Sequence, residues 1–266
     1  MNPLLITEIC AEQSDLLNAL ILLEEYIFEE KPDVLTGFND LIYRCQRAIA
    51  LESDPLVQVE QFLDYFFVEL LFIDKAQQPW PIKSYRLVHA LNYRSISPVL
   101  KVILLQHIAR LCSLNCDVVF IPESLMMRII CTDDYVVIFD AVTGEALDWQ
   151  NFDNRVAELE GDPESLEITG ETNKTLLRNY LTSLKNALIA ENKYHEALRC
   201  VDILLAMKPN DPIQRRDRGF LLHQLDCFKV AYDDYRYFVE QCPDDPAAQL
   251  LKLQLDNIKI GNIVLH

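Results

Sequence analysis

The last third of the chain repeats itself at a fixed interval, and this interval restricts the fold more than any other feature of the sequence. The segments "NKYHEALRCVDILLAMKPND" and "DCFKVAYDDYRYFVEQCPDD" align through an aromatic residue, an alanine and a proline. The matched pairs, all separated by the same interval, are Tyr194 with Phe228, Ala197 with Ala231, and Pro209 with Pro243. Alanine suits a position where two helices approach closely, and proline stops a helix. The pattern therefore predicts two copies of one helical unit.

The interval matches the period of tetratricopeptide (TPR) repeats, in which each unit is a pair of helices. Gly219 takes the small-residue position in the first helix of the second unit, and Lys185 takes it in the first unit. Such units usually need three or more copies to be stable, because each copy covers the apolar face of the next. We therefore expect a capping helix over residues 246–260 at one end, and the first domain at the other.

The region before the repeats is predicted to combine helices with one small sheet. Apolar residues recur at three- and four-residue spacing, which is typical of amphipathic helices, over 12–31, 35–52 and 56–73. A short helix from Ser84 to Leu91 and a buried helix from Val99 to Leu114 follow. The runs "DVVFI", "LMMRIICT" and "YVVIFDA" then predict an antiparallel meander with a hairpin turn at Asp133-Asp134, because they are rich in β-branched and aromatic residues.

These elements predict a mostly helical α+β fold followed by helical hairpins. The predicted organisation has three parts: an α+β domain over 1–159, an acidic, turn-rich linker over 160–174, and two TPR repeats with a capping helix over 175–266. Within the sheet, Met126 and Met127 alternate along one strand. We therefore expect one of these methionines in the core and the other at the surface.

Charge and composition exclude several classes of function. The chain carries 24 basic and 41 acidic residues, a net charge of −17, which repels phosphate backbones and anionic lipid and argues against nucleic-acid or membrane binding. The N-terminus has no signal-peptide pattern, and the run "FLDYFFVELLFI" is too short and too charged to span a membrane. Eight scattered cysteines without a C-x-x-C pair are typical of reduced thiols. We therefore expect a cytoplasmic protein.

Several stretches carry a family resemblance. "SPVLKVILLQHIARLCSLNCDVVFIPESLMMRI" resembles a helix–strand unit, and "YVVIFDAVTGEAL" resembles the strand and turn that follow it, in the bacterial SirB/YchA-type proteins. "SLKNALIAENKYHEAL" and "RDRGFLLHQL" are similar to TPR stretches of the same family. The resemblance covers most of the chain from about residue 60 onward. It implies a transglutaminase-like, papain-like domain followed by TPR repeats.

The resemblance also implies where a catalytic triad would lie. In a papain-like core a cysteine supplies the nucleophile, a histidine holds its proton and an aspartate orients the histidine. These three positions fall on Pro98, Ser124 and Asp140 of this chain. Proline has no nucleophilic group and serine is not a base near neutral pH. We therefore expect no thiol acyl transfer at this site.

Other side chains are candidates for displaced catalytic or metal-binding groups. Cys112 and Cys116 are expected at the C-terminal end of the buried helix, where the helix dipole disfavours a thiolate, so we interpret both as inert. His107 lies among apolar neighbours and is interpreted as a core or half-exposed histidine. His89 precedes the Pro98 turn, and nothing in the sequence places it in the cleft. No metal site and no cofactor are predicted.

The first helix of each TPR repeat offers a different kind of site. These helices line the concave surface of a TPR array, where asparagine side chains can hold an extended peptide by its backbone. Arg216 is of the type that binds a carboxylate, although Thr182 stands where a carboxylate clamp has lysine. The expected groove residues are Asn179, Thr182, Ser183 and Asn186 in the first repeat, and Arg216, Asp217, Phe220 and His223 in the second. A groove that contacts the protein's own first domain is an equally open alternative.

Three hypotheses for function follow from these observations. The leading one is a non-catalytic cytosolic protein that binds a protein or peptide partner, with a degenerate transglutaminase-like domain and a TPR module. The second is a hydrolase or acyltransferase with an unrecognised nucleophile in the cleft around Asp140, which would use Asp140 with residues from the 74–98 loop. The third is a regulatory partner of an enzyme or transcription factor, recognised through its acidic surface.

Overall fold

The computed structural model describes residues 3–11, 14–49, 54–72, 79–121, 124–132, 135–146 and 170–263. The chain forms two compact units. The N-terminal unit comprises residues 7–25 and 29–180, and the C-terminal unit comprises residues 1–6, 26–28 and 181–266. Most of the segment expected as an acidic linker, 160–174, lies outside the described residues. The end of that segment already belongs to a helix that begins at Asn173.

Helices dominate the first part of the chain. They are α1 (Pro3–Cys10), α2 (Leu16–Phe28), α3 (Leu35–Ile49), α4 (Pro55–Leu63), a π-helix (Asp64–Glu69), a 3₁₀ turn (Ile82–Tyr85), α5 (Leu87–Tyr93) and α6 (Pro98–Leu111). Side chains that accept backbone N–H groups fix three of the helix starts: Asp15 for α2, Asp54 for α4 and Ser97 for α6. Among the described residues, no helix combines the length and the apolar character needed to cross a membrane.

The sheet is the predicted meander. Strands β1 (Asn115–Ile121), β2 (Ser124–Thr132) and β3 (Tyr135–Asp140) pair antiparallel in the order β1-β2-β3. The expected hairpin residues Asp133 and Asp134 lie outside the described residues. The prediction that one methionine of Met126 and Met127 is at the surface is wrong, because both are fully buried. The central strand β2 contacts both α4 and α6.

Helix α6 is the centre of the N-terminal unit. Ten of its fourteen residues are buried, and it contacts α3, β1 and β2. The helix ends at Leu111 because Ser113 adopts a left-handed conformation (φ 63°) and the Leu114 N–H turns back to the Ala109 carbonyl at 3.0 Å. Cys112 caps this end, whereas Cys116 lies in β1. The expectation that both cysteines end the helix is therefore wrong for Cys116.

An aromatic cluster packs beside the sheet. The stacked pair Phe66 and Phe72 has ring centroids 4.6 Å apart, and Phe67 meets Phe139 of β3 edge-on at 6.4 Å. The π-helix presents Phe66 and Phe67 to the core together. A Cβ atom at Gly144 would come within 2.7 Å of the Phe67 ring, so the turn after β3 packs directly on this cluster.

The C-terminal part consists of helical hairpins. Its helices are α7 (Asn173–Ala190), α8 (Tyr194–Met207), α9 (Pro212–Gln224), α10 (Phe228–Gln241) and α11 (Pro246–Ile263). Ala197 and Ala231 are buried at the positions expected for close helix contact. Helices α8 and α10 end shortly before Pro209 and Pro243. The predicted fold class, mostly helical α+β with C-terminal TPR hairpins, is confirmed.

One buried carboxylate joins two helices of the N-terminal unit. Glu24 of α2 accepts the backbone N–H of Leu87, the first residue of α5, and the Arg86 Nε at 2.8 Å. Burial raises the pKa of Glu24 above its usual value of 4.5, although the Leu87 N–H and the Arg86 guanidinium act in the opposite direction. The folded chain therefore binds a proton at Glu24 more tightly than the unfolded chain does.

This raised pKa predicts a pH dependence of stability. The contribution of Glu24 to the free energy of unfolding is full below pH 4.5 and falls as the pH rises through the raised pKa. Glu24→Gln keeps an acceptor for the Leu87 N–H, and the glutamine side chain does not titrate. We expect the free energy of unfolding of wild type minus that of Glu24→Gln to decrease from pH 4.5 to neutral pH, measured by urea unfolding. The exposed neighbour variant Glu25→Gln should show no such trend, and parallel pH curves for wild type and Glu24→Gln would contradict the prediction.

Candidate functional site

Helix α6 begins at the position where the family resemblance places a nucleophile. Pro98 is the first residue of the helix, a position that suits proline because its fixed φ matches the helix and its missing N–H is not needed there. Ser97 precedes it as the N-cap, with Oγ 3.4 Å from the Leu100 N–H. The first turn of α6 therefore holds helix-starting residues and no thiol.

The strands bring the other two triad positions to one end of the sheet. Ser124 opens β2, where its backbone pairs with Ile121 of β1. Asp140 ends β3 and pairs with Met126, which lies close to Ser124 along β2. The register therefore places Ser124 and Asp140 near the same end of the sheet.

Asp140 is engaged with the turn that follows it. Its Oδ1 accepts the N–H groups of Val142 at 2.7 Å and Thr143 at 3.0 Å, which is an Asx-type turn. The backbone closes the same turn, because the Gly144 N–H donates to the Asp140 carbonyl at 2.8 Å. Gly144 has φ 79°, a conformation that a side chain disfavours. These bonds support the structural interpretation of Asp140.

Sequence reasoning missed Lys101, which connects α6 to this turn. Lys101 is fully buried one helical turn after Pro98, and its Nζ donates to the Val142 carbonyl at 2.9 Å. An ammonium group is buried only where polar atoms surround it. The signal that could have found it is a single lysine inside the apolar run "PVLKVILL".

The cysteines at the other end of α6 are poor nucleophiles. Burial raises the pKa values of Cys112 and Cys116 to about 12, so neither forms a useful fraction of thiolate near neutral pH. The Cys116 Sγ lies 3.8 Å from the Gln106 carbonyl oxygen. The interpretation of both as inert thiols agrees with this burial.

The two histidines near α6 are held by local contacts. Burial lowers the pKa of His107, whose Nδ1 lies 4.0 Å from the Asp15 carboxylate. The ring of His89 of α5 lies 4.7 Å from that of Tyr93 in a tilted contact, and burial lowers the pKa of His89 as well. Within the described part of the chain, no group of three or more His, Cys, Asp and Glu side chains is arranged to hold a metal ion.

The repeats present a second candidate site on α9. Ile213, Arg216, Phe220 and His223 recur at three- and four-residue spacing on one face of this helix, and we call this face the α9 stripe. Ile213 and Phe220 are 37% and 38% exposed, large fractions for apolar side chains of this size. Of the other expected groove residues, Asn186 is exposed, and Asn179, Thr182 and Ser183 are half-buried on α7.

The arginine of the stripe is already paired. The Arg216 Nε and Nη2 both donate to Asp217 Oδ1, at 3.1 and 2.8 Å, and its guanidinium lies 5.3 Å from the centre of the Phe238 ring. Asp217 Oδ2 accepts Lys185 Nζ, which also donates to Gln214 at 3.3 Å. Lys185 therefore takes the small-residue position as a buried ion-pair partner that joins the first helices of the two repeats.

Helix α11 continues the register of the repeats. The interval that separates the matched positions of the two repeats also leads from Arg216 to Leu250 and from Gly219 to Leu253. Gly219 lets the ring of Tyr235 approach, because a Cβ there would lie 2.9 Å from two ring atoms. Leu250 and Leu253 are 66% and 65% exposed. Helix α11 thus corresponds to the first helix of a third repeat.

Comparisons with known proteins agree with both parts of the molecule. Residues 33–190 match the transglutaminase-like superfamily, and residues 184–256 match the tetratricopeptide repeat. The chain is 30% identical to the protein SirB1 of Salmonella typhimurium over 260 residues, covering 94% of this chain and 95% of that one. It is 29% identical to a UPF0162 protein of Vibrio cholerae over 230 residues, 85% of each chain. It is also 38% identical to the UPF0162 protein YchA of Escherichia coli K12 over 154 residues, 56% of each chain.

The Asp140 turn generates a stability prediction. Asp140→Ala removes the acceptor of two backbone N–H groups, and we expect it to lower the free energy of unfolding by about 1 kcal/mol. Asp140→Asn keeps an oxygen at the same place, so its loss should be smaller. Urea unfolding of the two variants beside wild type measures both values. Equal losses for Ala and Asn would show that the Oδ1 contacts do not stabilise the turn.

Proposed function

The chain belongs to the bacterial family of SirB1 and YchA, in which a transglutaminase-like domain precedes TPR repeats, and we propose that it is a non-catalytic, cytosolic protein that binds a protein or peptide partner. The observation that carries the non-catalytic part is the state of the triad positions. The first is Pro98, the second is Ser124, and the carboxylate at the third, Asp140, caps its own turn. The N-terminal unit keeps the scaffold of a papain-like core without its nucleophile and base.

The buried groups near Asp140 support the same proposal over a rival enzyme. A hydrolase or acyltransferase in this cleft needs a nucleophile that is free to attack and a base that is free to take its proton. Lys101 is buried and bonded to the Val142 carbonyl, and Asp140 holds Val142 and Thr143. Both polar side chains thus stabilise the turn.

The partner-binding part of the proposal concerns the C-terminal unit. TPR repeats generally mediate protein–protein interaction through the concave face formed by their first helices. Here that face comprises the α9 stripe together with Asn186 of α7 and Leu250 of α11. Ile213, Phe220 and Leu250 expose apolar surface, and Asn186 adds a donor and an acceptor for a peptide backbone.

Cysteine reactivity tests the non-catalytic part. Burial raises the pKa of Cys45 to about 11 and those of Cys112 and Cys116 to about 12, and raises that of Cys200 as well. We expect an electrophilic thiol probe to label these four residues only after unfolding, measured by mass spectrometry of the labelled peptides. The exposed Cys227 is the internal control for labelling in the folded protein. Rapid labelling of one of the four in the folded protein would contradict the proposal.

Photo-crosslinking tests the binding part. We expect benzoylphenylalanine in place of Phe220 to give covalent protein adducts in living bacteria, since Phe220 lies on the proposed binding face. Replacement of Tyr43, which is 58% exposed on α3 of the N-terminal unit, is the matched control. Asn186→Ala should lower the adduct yield at position 220 without changing the melting temperature. Equal adduct yields at positions 220 and 43 would refute the binding face.

A further inference from the structure

We infer that the TPR face recognises an uncharged, apolar, extended peptide segment, and that Asp217 sets this preference by occupying hydrogen-bond donors of Arg216. This inference rests on the proposed function, because it names the class of partner for the same face. The sequence alone favoured a different class, since an arginine in a TPR groove is suited to binding a carboxylate.

The arginines of α9 are all directed to counter-ions within the C-terminal unit. Arg216 donates two N–H groups to Asp217. Arg215 and Arg218 both donate to Asp234, which is only 1% exposed, with the Arg218 bonds at 2.6 and 2.7 Å. Each arginine of the run "RRDR" therefore already has a carboxylate partner, which is Asp217 for Arg216 and Asp234 for the other two.

Lys185 of α7, the cation on the neighbouring helix, is also paired with a carboxylate. The Lys185 side chain is 3% exposed, and its Nζ donates to Asp217 Oδ2 and Gln214 Oε1. One carboxylate thus holds a cation from each of two repeats. A ligand carboxylate would have to compete with Asp217, which is already in place and covalently part of the same helix.

The charge balance of the chain also disfavours an acidic ligand. Residues 181–266 carry 11 Lys and Arg against 12 Asp and Glu, out of 24 and 41 in the whole chain. Nearly all of the net charge of −17 therefore comes from residues 1–180. An acidic peptide is repelled by the rest of the chain and has no unpaired arginine on α9 to offset that repulsion.

The face exposes three large apolar side chains. On α9, Ile213 and Phe220 lie on either side of Arg216 in sequence, and on α11 Leu250 takes the repeat position of Arg216. The Phe220 ring is supported edge-on by Tyr194 at 6.3 Å, which fixes it for contact with a ligand. Apolar side chains at alternate positions of an extended peptide fit such a face, and Asn186 can bond its backbone.

An array of random ten-residue peptides tests the inference, with each peptide printed in a free-acid and an amidated form. We expect the full-length chain to bind peptides enriched in Leu, Ile, Val and Phe, with equal signals for the two forms and little change over an about tenfold rise in salt concentration. Phe220→Ala should lower these signals about tenfold. The matched control, Val230→Ala, removes an apolar side chain that is 49% exposed on α10 and should leave them unchanged.

A release variant tests the role of Asp217. Lys185→Met with Asp217→Asn removes the buried ion pair as a unit and leaves Arg216 without its counter-ion. We expect this variant to gain about tenfold in binding to acid-terminated peptides, and a third substitution, Arg216→Gln, to abolish the gain. A melting curve of each variant confirms that it is folded. If the release variant fails to fold, Asp217→Asn alone is the second variant for the same measurement.

The outcomes separate the inference from the proposed function. Binding that depends on Phe220 but selects acidic or acid-terminated peptides overturns the inference and leaves the proposed binding face standing. A folded release variant with no gain for acidic peptides overturns the role of Asp217. Peptide binding that is the same for wild type and Phe220→Ala, or no peptide binding at all, overturns the binding face and the inference together.

Discussion

The burial of helix α6 on nearly every side is the constraint on which the N-terminal unit depends. A helix in this position contacts α3, β1 and β2 at once, so its length and its start determine where the sheet lies. In a papain-like enzyme the corresponding helix also carries the nucleophile. Here its first residue is Pro98, and Lys101 one turn later bonds the turn that follows β3. The helix is thus a packing element whose buried lysine is bonded to the turn after β3.

The sequence predicted the elements whose signals are local. The constant spacing of the repeats indicated the helical hairpins, and alternating apolar runs indicated the three strands in their observed order. Predictions that needed tertiary context failed. Cys116 was expected in a helix because the left-handed turn at Ser113 has no glycine to mark it. Met126 and Met127 were expected on opposite sides of a half-exposed strand, whereas both are buried in a strand that contacts α4 and α6.

The candidate sites also combine features that the sequence shows with features that only the structure shows. The resemblance implies the triad positions, and the sequence alone shows that Pro98 and Ser124 stand at two of them. The pairing of Lys185 with Asp217 cannot be seen there, because it joins side chains that are far apart in sequence and lie on different helices. The contact brings a second cation to Asp217, the carboxylate that already accepts two N–H groups of Arg216.

Leu253 bears on how an array of this kind can grow. Where Gly219 admits the ring of Tyr235 against the backbone of α9, the corresponding residue of α11 is a leucine that is 65% exposed. A helix laid on α11 would have to stand further from its axis than α10 stands from the axis of α9. Lys185 holds the same repeat position in α7, where its charged end is paired with Asp217, an interaction that leucine cannot make. The volume of the side chain at this position therefore affects how closely the second helix of a hairpin can pack on the first.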